Sequence, residues 1–333
     1  MNFSVSGLSS AKSAEKKHVK LLVIGSGPAG FAAALYAARA ELNPVVLTGM
    51  ELGGQVSLTY TVENYPGFPE GVGGSELVEL FQKQAERFGA TVEFDTVVDV
   101  DLSVKPYVVR TYSSEYLADA IVVTTGATPR HLNVPGEIEL TGRGVSYCAT
   151  CDGWFFKDKD VVVVGGGDSA LEEGIFLTRF AKSITIIHRR EELRASAVLQ
   201  ARAFNNPKIK FIWNTIITEI LGNAAVNTVR LKNVQNGEVT GIPTDGVFIF
   251  IGHTPNSQIF ENQLEMDPQG YVIEDRLMHT SVSGVFAAGE VADPNFRQVI
   301  TSAGMGAAAA MQAIHYIENL DQEKAESTLS LRG

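Results

Sequence analysis

Residues 21–30 read LLVIGSGPAG, an apolar run followed by three glycines in the spacing G-x-G-x-x-G. An Ala-rich segment that continues to Arg39 has the composition of a helix. In such a strand–turn–helix unit, the first glycine permits the tight turn and the second lets the backbone approach a pyrophosphate. The third allows close helix packing, and the helix N-terminus faces the anion. The stretch therefore predicts an α/β dinucleotide-binding domain.

The same plan returns at residues 161–170, which read VVVVGGGDSA and lead into a second helical segment at residues 171–180. Ala170 replaces the third glycine, which this fingerprint allows. Two such units in one chain predict two separate dinucleotide sites. The predicted fold class is α/β, with two Rossmann-like domains of the three-layer ββα type.

The end of the next strand indicates the cofactor of the second site. Residues 183–190 read SITIIHRR, so a basic cluster stands where an NAD site places an acid for the ribose 2′-hydroxyl. Cations there suit the 2′-phosphate of NADPH. Arg194 would lie on the same face as Arg190 if this stretch were helical. The predicted NADPH site comprises Gly165, Gly167, Asp168, Ser169, Ala170, His188, Arg189, Arg190 and Arg194. The strand after the first fingerprint, at residues 44–48, also ends without an acid, and spacing alone leaves that cofactor undetermined.

The chain has two cysteines, Cys148 and Cys151, and they form a C-x-x-C pair just ahead of the second fingerprint. Half a zinc site, a structural disulfide and a redox couple are the three interpretations. Zinc would need further ligands, but the nearest histidines are His131 and His188, so no metal site is predicted. A disulfide that closes so short a loop removes little chain entropy. Redox use is the favoured interpretation.

Composition excludes two classes of function. The net charge of −11 argues against nucleic-acid binding, which depends on accumulated Lys and Arg. No stretch approaches the roughly 20 apolar residues that span a bilayer, so no membrane insertion is expected. Residues 1–18 are predicted to form a flexible extension. Without a recognisable secretion signal, the cysteines are expected in a reducing compartment, the cytoplasm.

Several ordered motifs together resemble the low-molecular-weight, bacterial-type thioredoxin reductases, which are class II pyridine nucleotide-disulfide oxidoreductases. Besides the two fingerprints and the basic cluster, the resemblance rests on GGQ at residues 53–55, VENYPG at 62–67, TTGA at 124–127, CATCDG at 148–153, IGHTPN at 251–256, AGE at 288–290 and RQVITSAG at 297–304. It covers residues from about 19 to about 319.

The resemblance implies that the first site binds FAD. The residues that it assigns to FAD are Gly25, Ser26, Gly27, Pro28, Ala29, Gly54, Gln55, Asn64, Val97, Gly289, Glu290, Arg297, Gln298 and Val299. One departure concerns Glu290, because the family usually has Asp at this position. The carboxylate is kept, so we expect FAD binding with an altered local geometry.

The resemblance also implies an interrupted domain layout and a homodimer. An FAD domain at residues 19–130 would resume at 257–333, with the NADPH domain and the C-x-x-C pair inserted at 131–256. Electrons would pass from NADPH through FAD and the Cys148–Cys151 disulfide to oxidised thioredoxin. Cys151 would face the flavin, and Cys148 would attack the substrate. Because the nicotinamide and the dithiol share one domain, the inserted domain is expected to rotate about connections at 128–135 and 252–257.

Some residues and rival activities need separate consideration. Asp152 follows Cys151 and could exchange the proton of dithiol chemistry, although an Asp-Gly pair also suits a tight turn. His253 is interpreted as structural, and Arg130 and Arg143 as solvated charges.

The rival functions are a reductase for a peroxide-scavenging protein, which usually carries further cysteines, a dithiol oxidase that uses oxygen, and a non-enzymatic redox sensor. The sensor would not need the basic cluster.

Overall fold

The computed structural model describes residues 15–59 and 61–330. Contacts divide the chain into two compact units. Unit 1 comprises the chain up to Ser57, then Glu76–Gly126, then the chain from Pro255 onward, and unit 2 comprises Leu58–Ser75 and Ala127–Thr254. The division predicted from sequence placed Leu58–Ser75 with the first part of the chain rather than with unit 2.

The helices are α1 Pro28–Arg39, α2 Gly74–Arg87, α3 Ala149–Asp152, α4 Asp168–Leu177, α5 Ala197–Phe204 and α6 Val299–Ser330. The strands are β1 Glu15–Ile24, β2 Val45–Leu47, β3 Thr91–Glu93, β4 Val97–Asp101, β5 Tyr107–Thr111, β6 Ser114–Val123, β7 Ala127–Pro129, β8 Val145–Ser146, β9 Asp160–Val164, β10 Ser183–Ile187, β11 Ile209–Ile212, β12 Thr215–Gly222, β13 Val226–Asn233, β14 Val239–Pro243, β15 Gly246–Ile249, β16 His253–Pro255 and β17 Val285–Ala287.

Unit 1 is built on a seven-stranded sheet with the order β3-β2-β1-β6-β5-β4 and with β17 beside β6. The strands β1, β2, β3, β6 and β17 pair in parallel, and β4 and β5 are antiparallel additions. Side chains of β1 alternate between two cores, as strand geometry requires. Leu21 and Val23 pack with residues of α1 and α6, whereas Leu22 and Ile24 pack with Phe260 and residues of β4 and β5.

Unit 2 repeats this three-layer plan. Its parallel sheet has the order β11-β10-β9-β15-β8, and a separate antiparallel sheet has the order β12-β13-β14. Val161 and Val163 pack with residues of α4 and α5, and Val162 and Val164 pack with residues of β12 and β13. Two α/β units with a helix layer on one sheet face and a β layer on the other confirm the predicted fold class.

The first strand starts earlier than predicted. Residues 15–18, expected in a flexible extension, pair in parallel with residues 114–117 of β6. Ion pairs to other strands of the sheet support this start, because Lys16 lies 2.9 Å from Glu115 of β6 and Lys17 lies 2.9 Å from Glu93 of β3. Polar side chains at a sheet end have no apolar period, so no strand could be predicted here from the residues alone. The rest of the predicted extension, residues 1–14, lies outside the described residues.

Besides the two crossings that flank Leu58–Ser75, the chain passes between the units at Gly126–Ala127 and at Thr254–Pro255. β7 and β16, which lie at these crossings, pair as a two-stranded sheet. On the unit 1 side, the backbone N–H of Asn256 donates to the carbonyl oxygen of Gly126 over 2.9 Å. Both connections therefore share one narrow β-ribbon.

Helix α6 packs against α1 through a glycine contact that yields a stability prediction. A Cβ atom at Gly306 would lie 2.0 Å from the carbonyl oxygen of Ala29, whereas one at Gly304 would meet nothing within 4 Å. We expect Gly306→Ala to lower the free energy of unfolding by about 1–3 kcal/mol, because the helices must separate. Gly304→Ala, the control in the same helix, should leave it unchanged or raise it by up to about 1 kcal/mol. Urea unfolding of both variants tests this, and equal effects would contradict it.

Candidate functional site

The first fingerprint forms a turn in which two glycines are sterically required. Gly25 has φ +116°, and a Cβ there would lie 2.3 Å from the carbonyl oxygen of Thr124. A Cβ on Gly30 would lie 2.0 Å from the carbonyl oxygen of Gly25. Gly27 differs, because a Cβ at this position would meet nothing within 4 Å. Open space therefore faces the backbone at Gly27, immediately before Pro28 begins α1.

Ser26 binds a neighbouring loop within the protein. Its buried hydroxyl accepts a hydrogen bond from the backbone N–H of Gly53 over 3.0 Å. The α-carbon of Gly27 lies 3.9 Å from the Cβ position of Gly54. Gly54 and Gln55 belong to a short 3₁₀ turn. The structure thus brings the predicted segment 53–55 to the mouth of the first turn.

A cavity of about 160 Å³ opens at the carboxyl ends of the first strands. Val97, a predicted site residue, lines it. Sequence reasoning missed most of the other lining residues, although several directly follow strands whose carboxyl ends meet, which is where ligands bind in such sheets. The lining consists of Ile24, Gly25, Leu47, Thr48, Gly49, Asp95, Thr96, Val97, Thr125 and Ile259.

The segment after β17 reaches the same part of unit 1. A Cβ on Gly289 would lie 3.0 Å from the Cβ of Ala29, so this loop abuts the start of α1. Burial and the carboxyl of Asp293 together raise the pKa of Glu290 to about 7, against the attraction of Arg297. The predicted residues Gln298 and Val299 lie at the start of α6, where the backbone N–H of Ser302 donates to the Gln298 carbonyl oxygen.

Glu274 is a residue with a perturbed pKa that the sequence analysis did not identify. Burial, together with the carboxyls of Asp293 and Asp275, raises its pKa to about 8. Its buried Oε2 has no hydrogen-bond partner among the described residues. Asn64 lies in the segment Leu58–Ser75 that groups with unit 2. No local sequence signal identifies Glu274, since its burial and its approach to Asp293 depend on the fold.

The second fingerprint forms a similar turn in unit 2. Gly165 has φ +149°, and a Cβ there would lie 2.4 Å from the carbonyl oxygen of Phe250 and 2.6 Å from the Cβ of Ala170. Ala170 is fully buried. Gly167, like Gly27 in the first turn, has open space where a Cβ would stand, and it directly precedes α4. The exposed Ser169 lies in the first turn of that helix.

His188 is packed inside unit 2 rather than displayed on its surface. A Cβ on Gly166 would lie 2.3 Å from the imidazole ring of His188. The Nε2 atom of His188 lies 3.0 Å from the carbonyl oxygen of Glu192. Burial lowers the pKa of His188, and the neighbouring arginines lower it further. Its imidazole is therefore neutral at pH 7, and the positive charge of the predicted cluster comes from the arginines.

The three arginines are exposed on a loop that returns to the fingerprint. Residues 188–196 are not helical, so the helical spacing considered for Arg190 and Arg194 does not apply. The loop instead returns to the fingerprint through a backbone hydrogen bond. The N–H of Arg194 donates to the carbonyl oxygen of Gly166 over 2.7 Å. The carboxylate of Asp168 accepts from the backbone N–H of Ser196 over 2.7 Å. These bonds bring Arg194 to the second turn.

The two cysteines form a disulfide between the end of β8 and α3, with their Cα atoms 5.3 Å apart. Cys148 precedes the first residue of α3, and its Sγ accepts a hydrogen bond from the backbone N–H of Cys151 over 3.2 Å. The hydroxyl of Thr150 lies 3.4 Å from the same sulfur. Both groups can donate to a thiolate at Cys148 when the disulfide is open.

Asp152 is bound to a side chain that sequence reasoning missed. The hydroxyl of Ser146 donates to its Oδ2 over 2.6 Å. Burial raises the pKa of Asp152, and this hydrogen bond acts in the opposite direction. The two residues that follow Gly153, Trp154 and Phe155, are exposed aromatic side chains. The arrangement places a carboxyl whose pKa is raised by burial directly after the disulfide.

Two arginines that the sequence analysis interpreted as solvated charges form hydrogen bonds at the surface. Arg130 donates to the hydroxyl of Thr254 and Arg143 to the carbonyl oxygen of Glu139, and both arginines are exposed. Within residues 15–59 and 61–330, no cluster of three or more His, Cys, Asp or Glu side chains could hold a metal ion. None of the helices in these ranges is long and apolar enough to cross a membrane.

Comparison with known proteins gives a consistent result. Residues 19–307 match the family model described as pyridine nucleotide-disulphide oxidoreductase. The thioredoxin reductase of Streptomyces coelicolor is 49% identical over 310 residues, which is 92% of this chain and 96% of the relative. The bifunctional thioredoxin reductase/thioredoxin of Mycobacterium leprae is 46% identical and covers 98% of this chain, which spans 72% of that relative.

Solved structures agree with the sequence comparison. The crystal structure of thioredoxin reductase from Streptococcus pyogenes superposes with a TM-score of 0.87 at 43% identity, and the match covers 91% of this chain and 99% of that one. The resemblance inferred from the motifs is thereby confirmed. The chain belongs to the pyridine nucleotide-disulphide oxidoreductases and, within them, to the thioredoxin reductase family.

Proposed function

We propose that this chain is an NADPH-dependent thioredoxin-disulfide reductase that uses FAD and the Cys148–Cys151 pair. The observation that carries the proposal is the disulfide itself, which lies in the same unit as the second fingerprint and directly before the buried carboxyl of Asp152. When bound, NADPH supplies a hydride and FAD relays its two electrons. The thioredoxin substrate and the homodimer stay predictions of the resemblance, and the cytoplasmic location stays a prediction from the sequence.

The residues of unit 1 fit a flavin dinucleotide. Open space over Gly27 and at the strand-end cavity would accept the pyrophosphate and the adenosine half. Gly289 brings the carboxyl of Glu290 to the start of α1, where it can hydrogen-bond a hydroxyl of the cofactor. Unit 2 offers the second open turn, at Gly167, and the exposed arginines for a 2′-phosphate.

The sulfur atoms take different roles in the proposed exchange. Cys148 attacks one sulfur of the substrate disulfide as a thiolate, which the N–H of Cys151 and the hydroxyl of Thr150 stabilise. Cys151 then attacks Cys148 and releases the substrate as a dithiol. The two electrons and two protons of the enzyme dithiol pass to the substrate, and the Cys148–Cys151 bond forms again. Asp152 exchanges a proton with this dithiol.

An anaerobic titration tests the whole proposal. NADPH should bleach the visible absorbance of the FAD-loaded protein, and oxidised thioredoxin should then restore it. A flavin that stays oxidised in NADPH would contradict the donor. Bleaching that oxygen reverses but thioredoxin does not would contradict the acceptor and favour a dithiol oxidase.

The arginine cluster predicts the choice of nucleotide. Replacing Arg189 and Arg190 by Ala should weaken NADPH binding about 10- to 100-fold for each arginine, because each loses a charge-assisted hydrogen bond to the 2′-phosphate. Binding of NADH, which lacks that phosphate, should hardly change. Dissociation constants for both nucleotides measure this. Arg202→Ala, a control in the last turn of α5, should leave both unchanged.

Domain rotation is the proposed solution to the shared use of the flavin by nicotinamide and dithiol. Within the expected connection 128–135, the backbone N–H groups of Leu132 and Asn133 donate to the buried carboxylate of Glu137, over 2.9 and 2.7 Å. This part is therefore fixed within unit 2. We therefore expect the backbone changes that allow the rotation to occur in the ribbon of β7 and β16.

A crosslink between the units tests the rotation. One surface cysteine is introduced on each unit, and a thioether crosslinker joins them while the Cys148–Cys151 disulfide is closed and protected. We expect thioredoxin reduction to fall to background. The controls are the two variants that carry only one of the introduced cysteines, treated with the same reagent. Full turnover in the crosslinked protein would show that rotation is not required.

A further inference from the structure

Ser146 occupies a buried position between the strand layer and the dithiol. It ends β8, and only 4% of its surface is exposed. Its Oγ lies 2.6 Å from Oδ2 of Asp152, 3.1 Å from the backbone N of Cys148 and 3.2 Å from the carbonyl oxygen of Cys148. One hydroxyl therefore contacts both the carboxyl and the backbone of the first cysteine.

Because this hydroxyl can both donate and accept, its hydrogen bonds can rearrange when Asp152 changes its protonation state. A serine has one hydrogen to donate and two lone pairs that accept. When Asp152 is ionised, the hydrogen points at Oδ2, and the Cys148 N–H donates to Oγ. When Asp152 is protonated, the carboxyl donates to Oγ, and the serine hydrogen can turn to the Cys148 carbonyl. The Cys148 N–H keeps its acceptor in both states.

Reduction of the disulfide needs an acid that can give up a proton and be protonated again, and a carboxyl is one such group. Reducing the Cys148–Cys151 disulfide breaks the S–S bond and adds two electrons and two protons. The electrons and one proton correspond to the hydride of NADPH, and the second proton comes from the solvent through an acid. A buried carboxyl that lost its hydrogen bond in one of its two states would resist that exchange.

We propose that Ser146 is the positioning residue for this proton exchange, because its hydroxyl holds the Asp152 carboxyl in place in both protonation states by turning between Oδ2 and the Cys148 carbonyl. The inference rests on the proposed function, in which Asp152 exchanges the proton. Ser146 itself touches neither sulfur nor substrate in this role.

Four variants test the role, together with a matched control. They are Ser146→Ala, Ser146→Thr, Asp152→Asn and the double variant of Ser146→Ala with Asp152→Asn. The control is Ser183→Ala, because the Ser183 hydroxyl donates to Asp160 over the same 2.6 Å in the same unit but at the amino ends of β9 and β10. Thermal unfolding compares the folded state of all five.

The first readout is thioredoxin reduction by NADPH over about pH 5 to 9. Ser146→Ala should lower turnover about 10-fold, the equivalent of one lost hydrogen bond. Ser146→Thr keeps the hydroxyl and should restore most of the rate, and Ser183→Ala should match the wild type. In the Asp152→Asn background, Ser146→Ala should change the rate less than about twofold, because the two residues act through one contact.

The second readout does not involve thioredoxin. The equilibrium of the Cys148–Cys151 pair with a dithiothreitol buffer is measured against pH, and the break that is present in the wild type but absent in Asp152→Asn marks the pKa of Asp152. Ser146→Ala should move this break to higher pH, because the hydroxyl stabilises the ionised carboxylate. Asp152→Asn should abolish the break.

The outcomes separate the inference from the function on which it rests. A wild-type protein that does not reduce thioredoxin would overturn the proposed function, and the dithiothreitol equilibrium would still test Ser146. A Ser146→Ala variant with the wild-type rate and the wild-type break would overturn the role of Ser146. A full additional loss of rate in the double variant would also overturn it, because Ser146 would then act on the backbone and not through Asp152.

Discussion

The close approach of backbone to backbone at the first turn is the constraint on which unit 1 depends. The start of α1 is enclosed from two sides, because a Cβ at Gly30 would strike the carbonyl oxygen of Gly25 and one at Gly306 would strike that of Ala29, each at 2.0 Å. Strand β1, helix α1 and helix α6 can therefore meet only where side chains are missing. That contact fixes the helix N-terminus at the strand ends, beside the open space over Gly27.

Unit 2 uses the same plan with a different steric solution. The third glycine of the fingerprint is Ala170, and its Cβ occupies the space that a Cβ on Gly165 would need, at 2.6 Å. Position 170 can carry a methyl group only because Gly165, which faces it, has no side chain. The open position before the helix, at Gly167, is the same in both units. What differs is the surrounding charge, because the loop that follows β10 carries exposed arginines, and the proposed function assigns these to the 2′-phosphate of NADPH.

The parts of the structure that sequence predicted are those encoded within a few residues. The glycine spacing, the apolar runs and the paired cysteines are local signals, and they gave both turns, both parallel sheets and the disulfide. Ser146 was missed although Cys148 and Asp152 are only two and six residues away, because a single serine forms no recognisable pattern. Glu274 was missed because the fold determines its burial and its approach to Asp293. The early start of β1 was missed for a related reason: it rests on ion pairs between strands, such as Lys17 with Glu93. His188 was expected as a cation, but packing against Gly166 buries its ring and favours the neutral form.

The two buried carboxyls near the predicted reaction centres have partners of different chemistry, and this difference suits different tasks. Burial raises the pKa of both Asp152 and Glu290. Glu290 is opposed by the charge of Arg297, and a guanidinium has five donors and no acceptor, so it stabilises only the ionised carboxylate. Asp152 is opposed by the hydroxyl of Ser146, which can donate to the ionised form and accept from the protonated form. Glu290 is thus suited to accept a hydrogen bond from a cofactor hydroxyl when it is ionised, and Arg297 favours that form. Asp152, which can gain and lose its proton without losing its partner, is suited to dithiol chemistry.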